Sequence, residues 1–211
     1  MTPLPLILAV SAALSSLPSS RPGPTDRSVT REGRVETIAH EQLEHEPGSF
    51  VGRELRLVLQ FHSLEESWNP FLTRFSPADY VAVRGWTDAQ LPWLQGDFER
   101  RPVRVFSRRS ELALDHFFRI ARPHERIAVV GVVREVFAGQ PWFEVTSAEI
   151  LPRSIPEGSV LHVIRALDFE QKHAFRLALG ELERASAAPL PKHALDAVGK
   201  IQRRCEAASR R

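Results

Sequence analysis

Two patterns of apolar residues divide the chain into a β-rich region and a helical region. In the segment ELRLVLQFH, residues 54–62, apolar and polar side chains alternate, which is the period-2 pattern of a strand. Beyond residue 151, apolar residues instead recur every three to four positions, which is typical of amphipathic helices. The pattern therefore predicts a β domain followed by a helical segment.

Five strands are predicted between residues 50 and 151. The later strands are rich in β-branched and aromatic residues, and loops containing Pro and Gly separate them. Gly131, inside the fourth strand, favours a β-bulge or a sharp bend. A short turn at Ala138, Gly139 and Gln140 joins the last two strands into an antiparallel hairpin. The strands are predicted at 54–62, 79–86, 102–107, 127–137 and 141–151.

One helix is predicted between the third and fourth strands. Ser110 can cap its N-terminus, and Pro123 follows its end. Its predicted apolar side comprises Leu112, His116 or Phe117, and Ile120. Three strands, one helix and two strands, in this order over about 100 residues, resemble the OB-fold, a five-stranded Greek-key barrel. The predicted fold class is mainly β with α: an OB-like Greek-key barrel plus a C-terminal helical hairpin.

Two stretches of the barrel carry a narrower resemblance. FVGRELRLVLQF, residues 50–61, forms a glycine-containing entry to the first strand, and AVVGVVREVFAGQPWFEV, residues 128–145, forms the closing hairpin. In this arrangement the chain resembles the tRNA-anti-like OB domains of uncharacterised exported bacterial proteins. The resemblance rests on topology and covers about half of the chain. It leaves function open, because OB-folds host oligonucleotide, oligosaccharide, peptide and purely structural roles.

The chain divides into four predicted parts. Residues 1–20 contain the uncharged apolar run LPLILAVSAAL and are predicted to be a signal peptide. Residues 21–35, rich in Pro, Ser, Gly and Arg, are predicted to be a flexible linker. Residues 36–151 are predicted to form the barrel domain with a short leading helix, and residues 152–211 the helical hairpin.

The leader predicts a periplasmic or secreted location. Its apolar run is shorter than the roughly 20 residues that span a bilayer, so no membrane span is predicted. No lipid-attachment cysteine follows it, because the only cysteine is Cys205. The run lacks a preceding Lys or Arg, and Pro5 interrupts its start, so a cytoplasmic protein with an uncleaved leader or a misplaced start codon is the alternative.

Two helices are predicted in the C-terminal segment. Asp168 and Gln171 form a capping pair for the first, which extends to about Ala187. Its apolar stripe comprises Phe169, Phe175, Ala178, Leu179 and Leu182. The second is predicted from about 191 to 208, with an apolar side of Leu195, Val198, Ile201 or Gln202, and Cys205. Cys205 is interpreted as a small buried apolar residue rather than a reactive thiol.

Composition and charge exclude several classes of protein. The chain has 211 residues, of which 43% are hydrophobic, with 28 Lys+Arg against 26 Asp+Glu, so it is not disordered. One cysteine excludes an internal disulfide framework and a thiolate-rich zinc site. Residues 50–151 hold 13 Arg and 13 acidic residues. This balance disfavours nucleic acid on the barrel, because binding to phosphates needs an excess of cations.

Motifs for catalysis are absent from the sequence. It contains no GxSxG or SxxK motif, and its isolated glycines form no phosphate-binding loop. His40 and His45 are five residues apart, whereas the zinc-protease motif places its histidines four apart. The sequence therefore predicts a non-enzymatic binding or interaction module of the cell envelope, without cofactor or metal. The alternative enzyme is a hydrolase using the loop carboxylates Glu65, Glu66, Asp97 and Glu99.

One surface of the barrel is predicted to bind a ligand. If Val81 and Val83 point inward, alternation places their neighbours outward, and the same holds for the third strand. Interleaved aromatic and Arg side chains suit the OB-fold ligand face, and the expected partner is a protein, peptide or glycan, with single-stranded nucleic acid as the alternative. In a purely structural interpretation, the rings instead pack under loops or terminal helices. The predicted ligand-binding residues are Tyr80, Arg84, Trp86, Arg104 and Arg108.

Overall fold

Five long strands close into a barrel in the structure, a computed structural model that describes residues 35–69, 71 and 74–210. The predicted signal peptide at 1–20 and nearly all of the predicted linker at 21–35 lie outside the described residues. In the described part of the chain, no helix is both long and apolar enough to cross a bilayer.

The strands follow the predicted positions closely. The long strands pair in the order β2, β3, β4, β6, β5, and β5 pairs again with β2, which closes the barrel. The β4–β6 pairing is parallel, and the other four pairings of the barrel are antiparallel. This is the predicted OB-like Greek-key barrel, with a helix between β4 and β5. The strands are β1 (Glu36–Thr37), β2 (Glu54–Glu65), β3 (Tyr80–Thr87), β4 (Val103–Arg108), β5 (Arg126–Phe137) and β6 (Gln140–Ile150).

Helices lie at the ends of the barrel and beyond it. The short leading helix begins only at His40, because residues 36 and 37 form β1 and pair in parallel with β2. A 3₁₀ turn at Pro47–Phe50 follows this helix. The helices are α1 (His40–His45), α2 (Gln95–Phe98), α3 (Leu112–Ile120), α4 (Glu157–Gln171), α5 (Phe175–Ala185) and α6 (Lys192–Ser209).

The barrel interior is filled by the inward residues of the strands, and two helices contribute to it. Leu43 of α1 is fully buried in this core. From α3 the core receives Leu114, Phe117 and Phe118. Burying two phenylalanine rings and a leucine removes a large apolar area from water, which stabilises the closed barrel. The strands contribute Leu55, Leu57, Leu59, Phe61, Val83, Val103, Val105, Ile127, Val129, Val133, Phe143, Val145 and Ala148.

The orientation predicted for α3 is wrong. Leu112 is 77% exposed and Ile120 is 38% exposed, so the predicted apolar side faces away from the core except at Phe117. The helix instead turns Leu114 and Phe118 inward together with Phe117, and these three residues bury a large apolar area in the barrel core. Its N-cap is Glu111, without a side-chain capping hydrogen bond, rather than Ser110.

Gly131 lies at a β-bulge, as predicted. The register between β5 and β6 shifts between Val130 and Gly131. A Cβ atom at position 131 would lie 2.1 Å from the carbonyl oxygen of Glu144 and 2.5 Å from Cε1 of Phe143. Only glycine therefore allows the two strands to approach this closely.

The C-terminal segment forms three helices rather than two. The helix predicted from Asp168 to about Ala187 is divided between α4 and α5, with a break where His173 adopts φ +58. Asp168 lies in the last turn of α4, where it pairs with Lys172, and does not cap a helix start. The additional length of α4 is stabilised by a second buried stripe, which comprises Ser159, Val160, Val163 and Ala166.

The three C-terminal helices share a core to which the barrel domain also contributes. Trp93, from the loop after β3, is 5% exposed and belongs to the buried cluster formed by α4, α5 and α6. Cys205 is fully buried in the same cluster, which confirms its interpretation as an apolar residue. Because Trp93 lies between the two parts, the helical segment packs on the barrel through apolar contact.

Candidate functional site

The outer side of β3 and β4 carries the five predicted residues, but the aromatic rings of Tyr80 and Trp86 are covered. Val83 and Val105 lie in the barrel core, so the alternate positions lie on the opposite side of these strands. Tyr80 is only 8% exposed and Trp86 only 4% exposed. The prediction that these two rings form an open surface is therefore wrong, because other parts of the chain pack on them.

A layer of aromatic side chains covers Tyr80. The Phe75 ring, from the loop after β2, lies 4.5 Å from the Tyr80 ring and 4.9 Å from the Phe106 ring, measured between centroids. Phe106 in turn stacks on Trp142 at 4.6 Å. The indole Nε1 of Trp68 donates a 3.0 Å hydrogen bond to the carbonyl oxygen of Phe75, which fastens this loop over the layer. The loop thus occupies part of the surface expected to be open.

Trp86 lies in a second aromatic group. His124 stacks on it, with centroids 5.2 Å apart and planes 12° apart, and the His62 ring meets it edge-on at 4.6 Å. Burial lowers the pKa of His124, and burial together with the charge of Arg84 lowers the pKa of His62. Both imidazoles are thus kept neutral at physiological pH, and Trp86 has a structural role here.

Two of the predicted arginines face one another across the β3–β4 ladder. Arg84 and Arg104 are direct partners in the register. Arg104 forms an ion pair with Glu65 at 2.8 Å, which offsets the repulsion between these like charges. Arg84 is half-buried and forms no ion pair with any residue in the described ranges. The structure therefore keeps these two side chains near the surface without joining them into one site.

Arg108 belongs to a network centred on a buried carboxylate. Its Nε donates to Oε1 of Glu144, while Nε of Arg134 donates to Oε2 of the same carboxylate. The Tyr80 hydroxyl donates a further hydrogen bond of 3.3 Å to Oε1. The side chain of Glu144 is 4% exposed, whereas those of Arg108 and Arg134 are 50% and 49% exposed. A buried anion thus holds two half-exposed cations in place.

The charge state of Glu144 follows from this arrangement. Burial by itself raises the pKa of the Glu144 carboxyl, but hydrogen bonds and charge from Arg108 and Arg134 outweigh it, so the pKa lies below its usual value. Burial and the nearby carboxylate also raise the pKa of Tyr80. At neutral pH the network consists of one carboxylate, two guanidinium groups and an uncharged phenol.

A cleft of about 370 Å³ opens beside this network. We call it the arginine cleft. It carries three guanidinium groups against two carboxylates, so its local charge is +1. Arg74 is 92% exposed and pairs with Glu135 at the rim. The lining residues are Arg74, Phe75, Tyr80, Arg108, Arg134, Glu135 and Glu144.

A second, smaller cleft of about 110 Å³ lies where β4 and β6 begin. Phe106 and Trp142 contribute aromatic surface to it, and Arg104 is the one predicted ligand residue in its lining. His40 also lines it, and burial lowers the pKa of this histidine despite Glu44, whose carboxylate lies 3.7 Å away. Across the described residues, no group of three or more His, Cys, Asp and Glu side chains could hold a metal ion.

The loop carboxylates of the alternative hydrolase have structural partners. Glu65 pairs with Arg104, and Glu66 pairs with Arg119. The carboxylate of Asp97 accepts a 3.0 Å hydrogen bond from the backbone of Leu91, and that of Glu99 accepts one from Gln95. Glu65 is thus paired across to β4 and Glu66 to α3, while Asp97 and Glu99 are held within the segment around α2.

Five of the seven residues that line the arginine cleft were not among the predicted ligand residues, and Glu144 and Arg134 are two of these five. Glu144 alternates with Phe143 and Val145 along β6, so period-2 alternation placed it outward. Arg134 lies where the β5–β6 register shifts between Val133 and Glu135, so alternation did not indicate its direction. Neither pattern showed that the carboxylate of Glu144 contacts both Arg108 and Arg134.

Comparison with protein-family models finds no match to this chain, and comparison with curated proteins finds none.

Proposed function

We propose that this protein is a non-enzymatic binding module of the bacterial cell envelope and that its ligand lies along the outer side of β3 and β4 at the arginine cleft. The observation that carries the proposal is the pair of half-exposed guanidinium groups, Arg108 and Arg134, held beside an open cleft by the buried Glu144. Concave sites with a few well-positioned polar groups are typical of ligand binding. The export-like run at residues 4–14 supports the location.

The chemistry of Glu144 favours binding over catalysis. Both carboxylate oxygens accept hydrogen bonds from arginine, and its pKa lies below the usual value. A general acid or base works best with a pKa near the working pH and with a free oxygen to exchange a proton. Glu144 meets neither condition, so its role is to position the two arginines.

The balance of charge favours a glycan or peptide partner over single-stranded nucleic acid. Residues 50–151 carry 13 Arg and 13 acidic residues, whereas binding to a chain of phosphates needs an excess of cations. A ligand with few acidic groups matches a cleft with a local charge of +1. The nucleic-acid alternative predicts a steep loss of affinity with rising salt, and the proposed partner predicts a shallow loss.

The location is tested on a C-terminally tagged full-length protein. Cell fractionation and sequencing of the mature N-terminus should find the protein outside the cytoplasm, without its first residues. Recovery of the protein from the cytosol with Met1 intact would contradict the envelope assignment.

Binding is tested by affinity measurement at low and high salt. Acidic glycans, acidic peptides and a single-stranded oligonucleotide are titrated into the full-length protein and into Arg108→Gln. We expect an acidic glycan or peptide to bind, with affinity falling about tenfold or more in the variant. Steeply salt-dependent binding of the oligonucleotide alone would favour the nucleic-acid function, and binding of none would overturn the proposal.

A further inference from the structure

We propose that Arg108 and Arg134 together form an oxyanion-binding site, which takes a carboxylate, phosphate or sulfate group of the ligand in the arginine cleft. The inference deepens the proposed function and rests on it for the larger ligand. The anion site itself can be tested with small inorganic ions.

The two guanidinium groups retain unused donors. The Nε of each donates a hydrogen bond to Glu144. Neither arginine donates a further hydrogen bond to any residue in the described part of the chain. A guanidinium has five N–H donors in a planar fork, so the terminal nitrogens of both arginines are left for another acceptor. An oxyanion can accept from both arginines at once, which gives short charge-assisted hydrogen bonds.

The surrounding groups hold these donors in position before a ligand arrives. Glu144 is 4% exposed and anchors both Nε atoms, while the guanidinium carbon of Arg108 lies 5.4 Å from the centre of the Tyr80 ring. The Tyr80 ring is itself fixed by Phe75. A side chain that is already ordered loses less entropy on binding, so this arrangement favours affinity over that of a free surface arginine.

Charge and space fit the same ligand. Arg74 pairs with Glu135 at the rim, so among the residues that line the cleft the net charge of +1 belongs to the two arginines around Glu144. The cleft of about 370 Å³ is larger than one small oxyanion and lies in the range usual for ligand pockets. It therefore leaves room for the organic group that carries the anion.

The test titrates sodium phosphate, sulfate and acetate into the full-length protein at constant ionic strength, set with chloride, and follows binding by calorimetry. The variants are Arg108→Gln and Arg134→Gln. The matched control is Arg119→Gln, because Arg119 is 44% exposed and also pairs with carboxylates, but lies on α3. We expect at least one of the anions to bind with a Kd of roughly millimolar size and about tenfold weaker in either cleft variant, but unchanged in the control.

Two further measurements separate recognition by the guanidinium fork from attraction by charge alone, and loss of binding from loss of folding. Arg108→Lys keeps the charge but lacks the planar fork, so we expect it to bind the anion more weakly than the original protein. Unfolding in urea without anion shows whether each variant is folded, and binding is compared only among folded variants. The order of affinity among phosphate, sulfate and acetate identifies which acidic group the natural ligand carries.

The outcomes distinguish this inference from the proposed function. Failure of all three anions to bind at about 50 mM, or an equal loss in Arg119→Gln, would overturn the anion site. If an anion binds but no glycan, peptide or oligonucleotide does, the anion site is supported and the proposed function is contradicted. Binding of such a ligand with equal affinity to Arg108→Gln and the original protein would contradict the anion site and the placement of the ligand in the arginine cleft, but not the binding function itself.

Discussion

The hydroxyl of Tyr80 and the carboxylate of Glu144 are joined by a buried hydrogen bond of 3.3 Å between β3 and β6. The two residues are 64 positions apart in the sequence. This bond connects the aromatic layer on the barrel to the two arginines of the cleft, so the stability of the cleft depends on a single acidic residue.

Replacing Glu144 with Gln tests this dependence. The variant removes the buried negative charge beneath Arg108 and Arg134, and we expect it to lower the free energy of unfolding by about 1–3 kcal/mol. The control is Glu149→Gln on the same strand, since Glu149 is 36% exposed and pairs with a single arginine, Arg56, among the described residues. We expect the control to change stability by less than about 1 kcal/mol in urea unfolding. Equal effects of the two variants would show that Glu144 has no special structural role.

The stability of the protein at low pH should depend on the same carboxylate. The pKa of Glu144 is lower in the folded protein than in the unfolded chain, so its contribution to stability is present above the unfolded value near 4.3 and is lost as the pH falls through the folded pKa. We expect the difference in stability between the original protein and Glu144→Gln to shrink as the pH falls below about 4.3. A difference that is constant from pH 7 to pH 3 would contradict this.

Gly131 allows a test of the bulge. A methyl group there would overlap the carbonyl oxygen of Glu144 at 2.1 Å, so Gly131→Ala should destabilise the protein by about 3 kcal/mol or more. Gly180 in α5 is the control, because outside the backbone of its own helix no atom of the described residues lies within 4 Å of an added Cβ. Gly180→Ala should stabilise the protein by about 0.5–1 kcal/mol, since alanine restricts the unfolded chain and favours helix. A tolerated alanine at 131 in urea unfolding would refute the close approach.

Replacing Trp86 with Ala should lower the stability of the fold rather than remove a contact with a ligand. The ring is 4% exposed and stacks on His124, so its removal leaves a cavity and should cost about 3–5 kcal/mol. Phe71, which is 90% exposed, serves as the comparison, and Phe71→Ala should change stability by no more than about 0.5 kcal/mol. Thermal and urea unfolding measure both. A stable Trp86→Ala protein with weakened ligand binding would restore Trp86 to the ligand surface.

Buried histidines predict a loss of stability in mild acid. Burial lowers the pKa of His124 below the unfolded value near 6.5, so its contribution is present above that value and is lost as the pH falls through the folded pKa. His62, which faces Arg84, and His193 shift in the same direction through burial. We expect urea unfolding at pH 7.5, 6.5 and 5.5 to show progressively lower stability.

A pair of variants tests whether His124 causes this dependence of stability on pH. His124→Asn should reduce the slope with pH, and asparagine accepts the positive φ at this position. His116→Asn, at an exposed position on α3, should leave the slope unchanged. The Glu157 carboxylate, which raises the pKa of His124, acts against the effect of burial. An unchanged slope in His124→Asn would assign the effect to other groups.

The sequence by itself determined the features that depend on neighbouring residues along the chain. Alternation in residues 54–62 specified β2 and its inward face, because side chains on a strand point to opposite sides in turn. Ala138 and Gly139, at φ +50 and +74, form the tight turn between β5 and β6 that the short connection predicted. The three-strand, one-helix, two-strand order then led to the barrel, because few topologies accept it.

The tertiary structure alone decided what covers each face. Alternation showed that Tyr80 and Trp86 point away from the barrel core, but the rings that cover them come from Phe75 in the preceding loop and from His124 beyond α3. In the same way, helical spacing predicted the wrong side of α3, and its orientation was set by the packing of Leu114 and Phe118 into the barrel core.

The arginine cleft depends on the same kind of distant contact. Glu144 meets Arg134 across a bulged hairpin and meets Arg108 across a parallel pairing 36 residues away. Periodicity reports the direction in which a side chain leaves its own strand, but not which residue lies beyond it. That neighbour is set by the closure of the whole barrel, and the cleft therefore appears only in the folded chain.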